Sequence, residues 1–153
     1  MINSPSSFSE WQDYPSTLDP IHVAWLKNAK KSKTAFAVAD IEGIEISHKR
    51  FLTGVLLFSK KIAEYSPEQN IGLLLPSSGG GAIASIAILA LGKTIVNLNF
   101  TAGKKALKSA AEQAEVKSIY TSRKFLDKMS ERGINLESFF PNSKLLMLED
   151  IKE

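Results

Sequence analysis

The 153-residue sequence contains no cysteine, which excludes disulfides, thiolate catalysis and cysteine-ligated zinc together and fits a reducing compartment. Histidine is scarce. His22 and His48 are the only two and fall on different expected elements, so neither a His-pair metal site nor a Ser/His/Asp relay is expected. No block of like charge stands out: 19 Lys and Arg against 16 Asp and Glu leave a formal charge of +3, spread along the chain. Nucleic acid would need clustered cations interleaved with aromatic or groove-reading elements, and none is present. Lys104, Lys105 and Lys108 do bunch on one expected helix, and they read as a solvated face before an anionic-lipid contact. The start, MINSPSSFSEWQDYPS, lacks the basic region and apolar core of a signal peptide, so no export is expected. Long apolar runs are missing too, because Pro76 and the glycines 79 to 81 divide the most apolar region into pieces too short for the roughly 20-residue span of a bilayer.

What remains is ordinary globular material, with 44% hydrophobic, 23% charged and 8% aromatic residues and a length that suits one core. Residues 1–17 are rich in Ser and Pro, with Trp11 and Tyr14 as isolated anchors, and read as an extended arm. Asp19-Pro20 marks a helix start, Asp as N-cap and Pro at the first position, with Ile21, Ala24, Trp25 and Asn28 sharing a face up to about Lys31. TAFAVAD (34–40), broken by Glu42-Gly43 before Ile44 and Ile46, predicts a hairpin. Ser47 can cap a following helix whose Phe51, Val55, Phe58 and Ile62 recur at helical spacing to Tyr65.

From residue 70 the pattern is regular. Strand-like runs at 70–75, 94–98, 117–121 and 144–149 alternate with helical patterns at about 78–91, 102–115 and 123–132. The helix starts have caps available at Ser77 or Ser78, Thr101 and Ser122, and Gly92 and Gly133 stand where helices should stop. Leu107, Ala110, Ala111 and Ala114 form one narrow face; Phe125, Leu126 and Met129 form another. Alternating strands and helices with short connections predict an α/β fold, a Rossmann-like three-layer sandwich with a mainly parallel sheet, plus the N-terminal arm and small hairpin.

The stretch NIGLLLPSSGGGAIASIAILALG (70–92) looks like strand, turn and helix, and a helix N-terminus is an anion site by construction. A Walker loop needs Lys-Ser/Thr after its glycines, whereas Gly81 is followed by Ala82 and Ile83; GGGAIA also fails the spaced dinucleotide fingerprint. The alternative is that glycine removes side chains where a strand-to-helix turn packs tightly. AIASIAILALG then reads as a helix buried on nearly every side, its small residues Ala82, Ala84, Ser85 and Ala87 permitting close approach.

The order of segments is itself recognisable. EGIEISHKRFLTGVLLFSKKIAE (42–64) resembles the early hairpin and helix of the adenylate-forming enzymes, a group of acyl-CoA synthetases, acyl carrier protein ligases and luciferases. NIGLLLPSSGGGAIASIAILALGKTIVNLNFTAGKKALKSAAEQAEVKSIYTS (70–122) is similar to that family's strand, Leu-Pro-Asn, helix, Ala-Gly, strand, Asn-Pro block. LNFTAGKKALKSAAEQAEVKSIYTSRKFLDK, with Asn-Phe-Thr-Ala-Gly in place of Asn-Pro, is similar to the acyl-[acyl carrier protein] synthetase region of the bifunctional 2-acylglycerophosphoethanolamine acyltransferases. The likeness runs over residues 30 to 151, including KLLMLEDIKE at the end. His48 stands where the family usually has Tyr, and Ser77 where it usually has Asn; both read as changes on the surface side.

The resemblance implies that residues 18–153 are the N-terminal subdomain of an adenylate-forming enzyme, a fragment truncated before the ATP phosphate loop. The family's Thr/Ser/Gly-rich loop ending in Pro-Lys, its adenine-contacting segment, its ribose-contacting Asp and its C-terminal-domain Lys find no matching positions here. The implied parent uses ATP and Mg2+ to activate a fatty acid as acyl-adenylate, then transfers it to acyl carrier protein or CoA in phospholipid acyl recycling. For the fragment the resemblance implies a scaffold with no catalytic, cofactor-binding or metal residue and no bound cofactor, its glycine turn a structural corner. Pro76, Ser77, Asn99, Phe100, Thr101 and Ser122, at the carboxyl ends of the strands, are the candidates for one wall of an acyl or nucleotide cleft, each with a cap or turn role as the alternative. Expected partners are the remaining subdomains of the parent, or a second copy meeting the apolar face they would cover, and not nucleic acid. The expected location is cytoplasmic, with the parent able to work at the inner face of the cytoplasmic membrane. Two other readings stay open: a stand-alone phosphate- or nucleotide-binding α/β module using the 76–82 turn, and a structural or interaction domain with no ligand.

Overall fold

The computed structural model describes residues 19–40, 43 and 45–152. The expected arm at 1–17, and Glu42 and Ile44 of the expected hairpin, lie outside them.

Helix α1 (Ile21–Lys31) begins directly after Asp19-Pro20, with Val23 and Ala24 N–H groups donating to the Pro20 carbonyl at 2.8 and 2.9 Å. The expected Asp19 cap is not made; the Asp19 carboxylate instead takes Lys27 Nζ, two turns on, at 2.6 Å. The buried face is also rotated from the expected one. Ala29 is buried and Trp25 sits against Phe51 with ring centroids 4.8 Å apart, whereas Ile21 is 65% exposed and Asn28 is exposed. Packing against Phe51 selects the Trp25–Ala29 line over one that periodicity alone permits.

The hairpin forms as predicted. Strands β1 (Phe36–Ala39) and β2 (Glu45–Ser47) pair antiparallel with Val38 opposite Ile46, and Gly43 adopts φ +77°. Ser47 then caps α2 (His48–Tyr65), its Oγ accepting from Arg50 N–H at 3.4 Å, and Phe51, Val55, Phe58 and Ile62 are buried. His48 is not a surface-side change: it is half-buried at the first turn, its ring 6.2 Å from Trp25.

Four short strands follow, β3 (Asn70–Leu73), β4 (Thr94–Asn97), β5 (Ser118–Thr121) and β6 (Lys144–Met147), joined by α3 (Gly79–Ala90), α4 (Gly103–Gln113) and α5 (Arg123–Ser130). All pairings are parallel, in the order β4-β3-β5-β6. The connection from β3 moves to one side and the later ones to the other, so the order reverses at β3, the arrangement that opens a crevice at strand carboxyl ends.

Strand alternation divides the core in two. Ile71, Leu73 and Tyr120 face α2 and α3; Leu74, Leu98 and Ile119 face Leu107 and Ala111 of α4 and Phe125 and Met129 of α5. This is the α/β three-layer sandwich with a short hairpin. Ala84, Ala87 and Ile88 of α3 are fully buried, and α2 lies so close that a Cβ on Gly54 would stand 2.9 Å from Ile83 Cδ1. Ala110 of α4, expected on the buried face, is exposed.

Ser78 and Ser122 cap α3 and α5 through Gly81 and Phe125 N–H at 3.2 Å each, and Gly92 and Gly133 end helices at φ +69° and +76°. Thr101 is not a cap. Asn99 Oδ1 accepts from both Thr101 N–H, at 3.0 Å, and Thr101 Oγ1, at 2.8 Å, forming a 3-10 turn at Phe100–Ala102 from which α4 starts with no side-chain cap. No helix among the described residues is long and apolar enough to cross a membrane.

Candidate functional site

The carboxyl end of β3 is held on both flanks. Leu98 N–H donates to the Leu73 carbonyl at 2.8 Å on the β4 side; on the β5 side Leu74 N–H donates to Tyr120 O at 3.0 Å and Thr121 Oγ1 to Leu74 O at 2.8 Å. Beyond Leu75 the chain leaves the sheet through Pro76, Ser77 and Ser78 and turns into α3. Strand β4 ends beside it and continues into the Asn99 turn. The hairpin strand β1 closes the third side.

Between them lies an open cleft of 670 Å3, bordered by Val38–Asp40, Leu75–Ser78, Gly81, Ala82, Ser85 and Asn97–Phe100. Of the expected residues, Pro76, Ser77, Asn99 and Phe100 meet here. Thr101 stands next to the rim, its hydroxyl engaged by Asn99. Ser122 is elsewhere, occupied as the α5 cap. The sequence reading missed Asp40, Ser85 and Asn97. Asn97 is the last residue of β4, so a strict reading of strand ends would have found it; Asp40 reaches the cleft only because the hairpin folds over the sheet, which no local pattern announces.

Two of the three glycines have packing reasons. A Cβ on Gly79 would lie 2.6 Å from Ile46 Cδ1 of the hairpin, and one on Gly81 would lie 3.4 Å from the Pro76 carbonyl and from Ser78 Oγ. Gly79 is thus where the α3 N-terminus and the hairpin come into contact. Ser78 Oγ already takes Gly81 N–H, and Ser85 Oγ donates to the Gly81 carbonyl at 2.9 Å. The cleft has hydroxyls and carboxamides on an apolar frame, and among the described residues that line it Asp40 is the one ionisable side chain. Such a wall can hydrogen-bond and shape a ligand, but its described residues offer no cation for phosphate charge. No group of three or more His, Asp or Glu side chains among the described residues is placed to hold a metal.

One buried polar contact ties the two sides of the first cluster. Tyr120, 2% exposed on β5, shares a 2.9 Å hydrogen bond with Ser66 at the end of α2. Burial raises its phenol above the usual value near 10, the Ser66 hydrogen bond lowers it, and the Glu68 carboxylate adds to the rise.

No family model matches the chain. Solved structures do. A nonribosomal peptide synthetase in its α-methyl-L-serine-AMP bound form superposes with a TM-score of 0.72 at 14% identity over 89% of this chain and 15% of that one. A four-domain nonribosomal peptide synthetase bound to AMP and glycine gives 0.70 at 18% identity over 87% of this chain and 9% of that one. The O-succinylbenzoate coenzyme A synthetase of Bacillus subtilis, in complex with AMP, gives 0.68 at 13% identity over 84% and 32%. The chain therefore spans under a third to a tenth of the synthetases it resembles. At these identities the likeness is one of fold: this α/β sandwich is a fold that occurs within these AMP-bound synthetases.

Proposed function

We propose that this chain is the N-terminal subdomain of an adenylate-forming ligase and serves it as scaffold and cleft wall. The observation that carries the reading is the combination of hairpin, α2 and a parallel sheet ordered β4-β3-β5-β6 with the fold of AMP-bound synthetases over nearly the whole chain. In the proposed parent a fatty acid carboxylate attacks the α-phosphorus of ATP, pyrophosphate leaves, and the thiol of acyl carrier protein or CoA, losing its proton, then attacks the acyl-adenylate carbonyl and releases AMP. The fatty-acid specificity rests on the likeness of residues 98–128 alone. ATP and Mg2+ supply the leaving group and the charge neutralisation, which is where such reactions gain most of their rate.

The contribution proposed for this chain is positional. Pro76, Ser77, Asn99 and Phe100 form one rim of the cleft, and Phe100 is braced from below by Phe125, whose ring lies 4.9 Å away and edge-on. The two turns are further stiffened by the Ser78 cap and the Asn99–Thr101 bonds. A rim so braced fixes ligand orientation without reacting.

The test is calorimetry with ATP, AMP and inorganic phosphate at millimolar concentration, together with fatty-acid-dependent pyrophosphate exchange. The expected outcome for the 153-residue chain is no binding heat and no exchange, with exchange appearing in the same chain extended by its natural downstream reading frame. Saturable binding of phosphate by the chain alone would instead favour the stand-alone module, and an extended chain without exchange would remove the ligase reading.

A further inference from the structure

We draw no further inference here: the strongest candidate, the 300 Å3 groove along the outer edge of β6 lined by Lys61, Tyr65, Lys144 and Leu145–Met147, carries nothing, because the chain spans under a third of the synthetases it resembles and nothing in the structure shows what covers that edge.

Discussion

Gly79 and Gly80 are neighbours in one helical turn, yet their surroundings predict opposite responses to the same substitution. A methyl group on Gly79 would press on Ile46 Cδ1 at 2.6 Å and force that side chain to turn aside where the hairpin meets the α3 N-terminus. A methyl on Gly80 would sit 3.5 Å from Leu148 Cδ1, an ordinary contact. Gly79→Ala should therefore cost about 1–3 kcal/mol as overpacking. Gly80→Ala should stabilise by about 0.4–1 kcal/mol, since alanine narrows the unfolded ensemble and suits a helix. Urea midpoints at constant slope would measure both, and a Gly79→Ala protein as stable as the parent would mean that the hairpin does not rest there. Tyr120 gives a second prediction at this scale. Its phenol titrates higher in the fold than in the unfolded chain because it is buried beside Ser66. Below about pH 10 both states carry the proton and the contribution is complete; above it the unfolded chain loses the proton first, so stability falls as pH rises through the folded value. Denaturation from pH 8 to 11 should show this alkaline loss, and Tyr120→Phe should flatten it while lowering stability at neutral pH through the orphaned Ser66 hydroxyl. The same slope in Tyr120→Phe would assign the effect to other groups.

Caps carry the element scale. Ser78 and Ser122 each accept a first-turn N–H, so Ser78→Ala and Ser122→Ala should each cost about 1 kcal/mol, whereas Thr101→Ala, whose residue caps nothing, should cost less. Asn99→Ala removes both acceptor bonds that shape the 3-10 turn and should loosen the cleft rim, measurable as faster amide exchange at Thr101. These residues also mark what a sequence can tell. The apolar run that begins at Asn70 announces β3 because burial on both faces leaves no room for polar alternation, and SIYT announces β5 by its β-branched and aromatic residues although Ser118 and Thr121 are polar and buried. The Phe51–Ile62 stripe announces α2 because helical period and core contact coincide there. Asp19 and Thr101 failed where a side chain had two partners to choose from, Lys27 taking Asp19 and Asn99 taking Thr101; on the α1 face Trp25 packs inward on Phe51 as expected, while Ile21, Ala24 and Asn28 are left exposed. The cleft was legible on the two sides built from strand ends. Its third side, at Val38–Asp40, depends on the hairpin crossing to Gly79, a contact between segments some forty residues apart.

At the scale of the whole molecule the question is whether one sheet with two separate apolar clusters unfolds as one body. The clusters lie on opposite faces, the first built from α2 and α3 and the second from α4 and α5, and they meet only through the strands. Ile71 and Leu73 point one way from β3 while Leu74 points the other, and Ile119 and Tyr120 divide likewise on β5. Removing either helical layer would leave those strands with a bare apolar face, so neither layer is stable alone, and the chain should fold cooperatively although it spans only 15% of a matching synthetase. Ile88 and Ile119 are both fully buried, one in each cluster. Ile88→Val and Ile119→Val should each lower a single urea transition by about 0.5–1.5 kcal/mol, and the double variant should show their sum to within about 0.5 kcal/mol. Trp25 fluorescence in a Trp11→Phe background reports the first side, and far-ultraviolet circular dichroism reports both. If the two probes separate, or if Ile119→Val moves the dichroism transition without moving the fluorescence one, then the α4–α5 layer unfolds independently, and the sheet does not couple the two halves as its alternating side chains require.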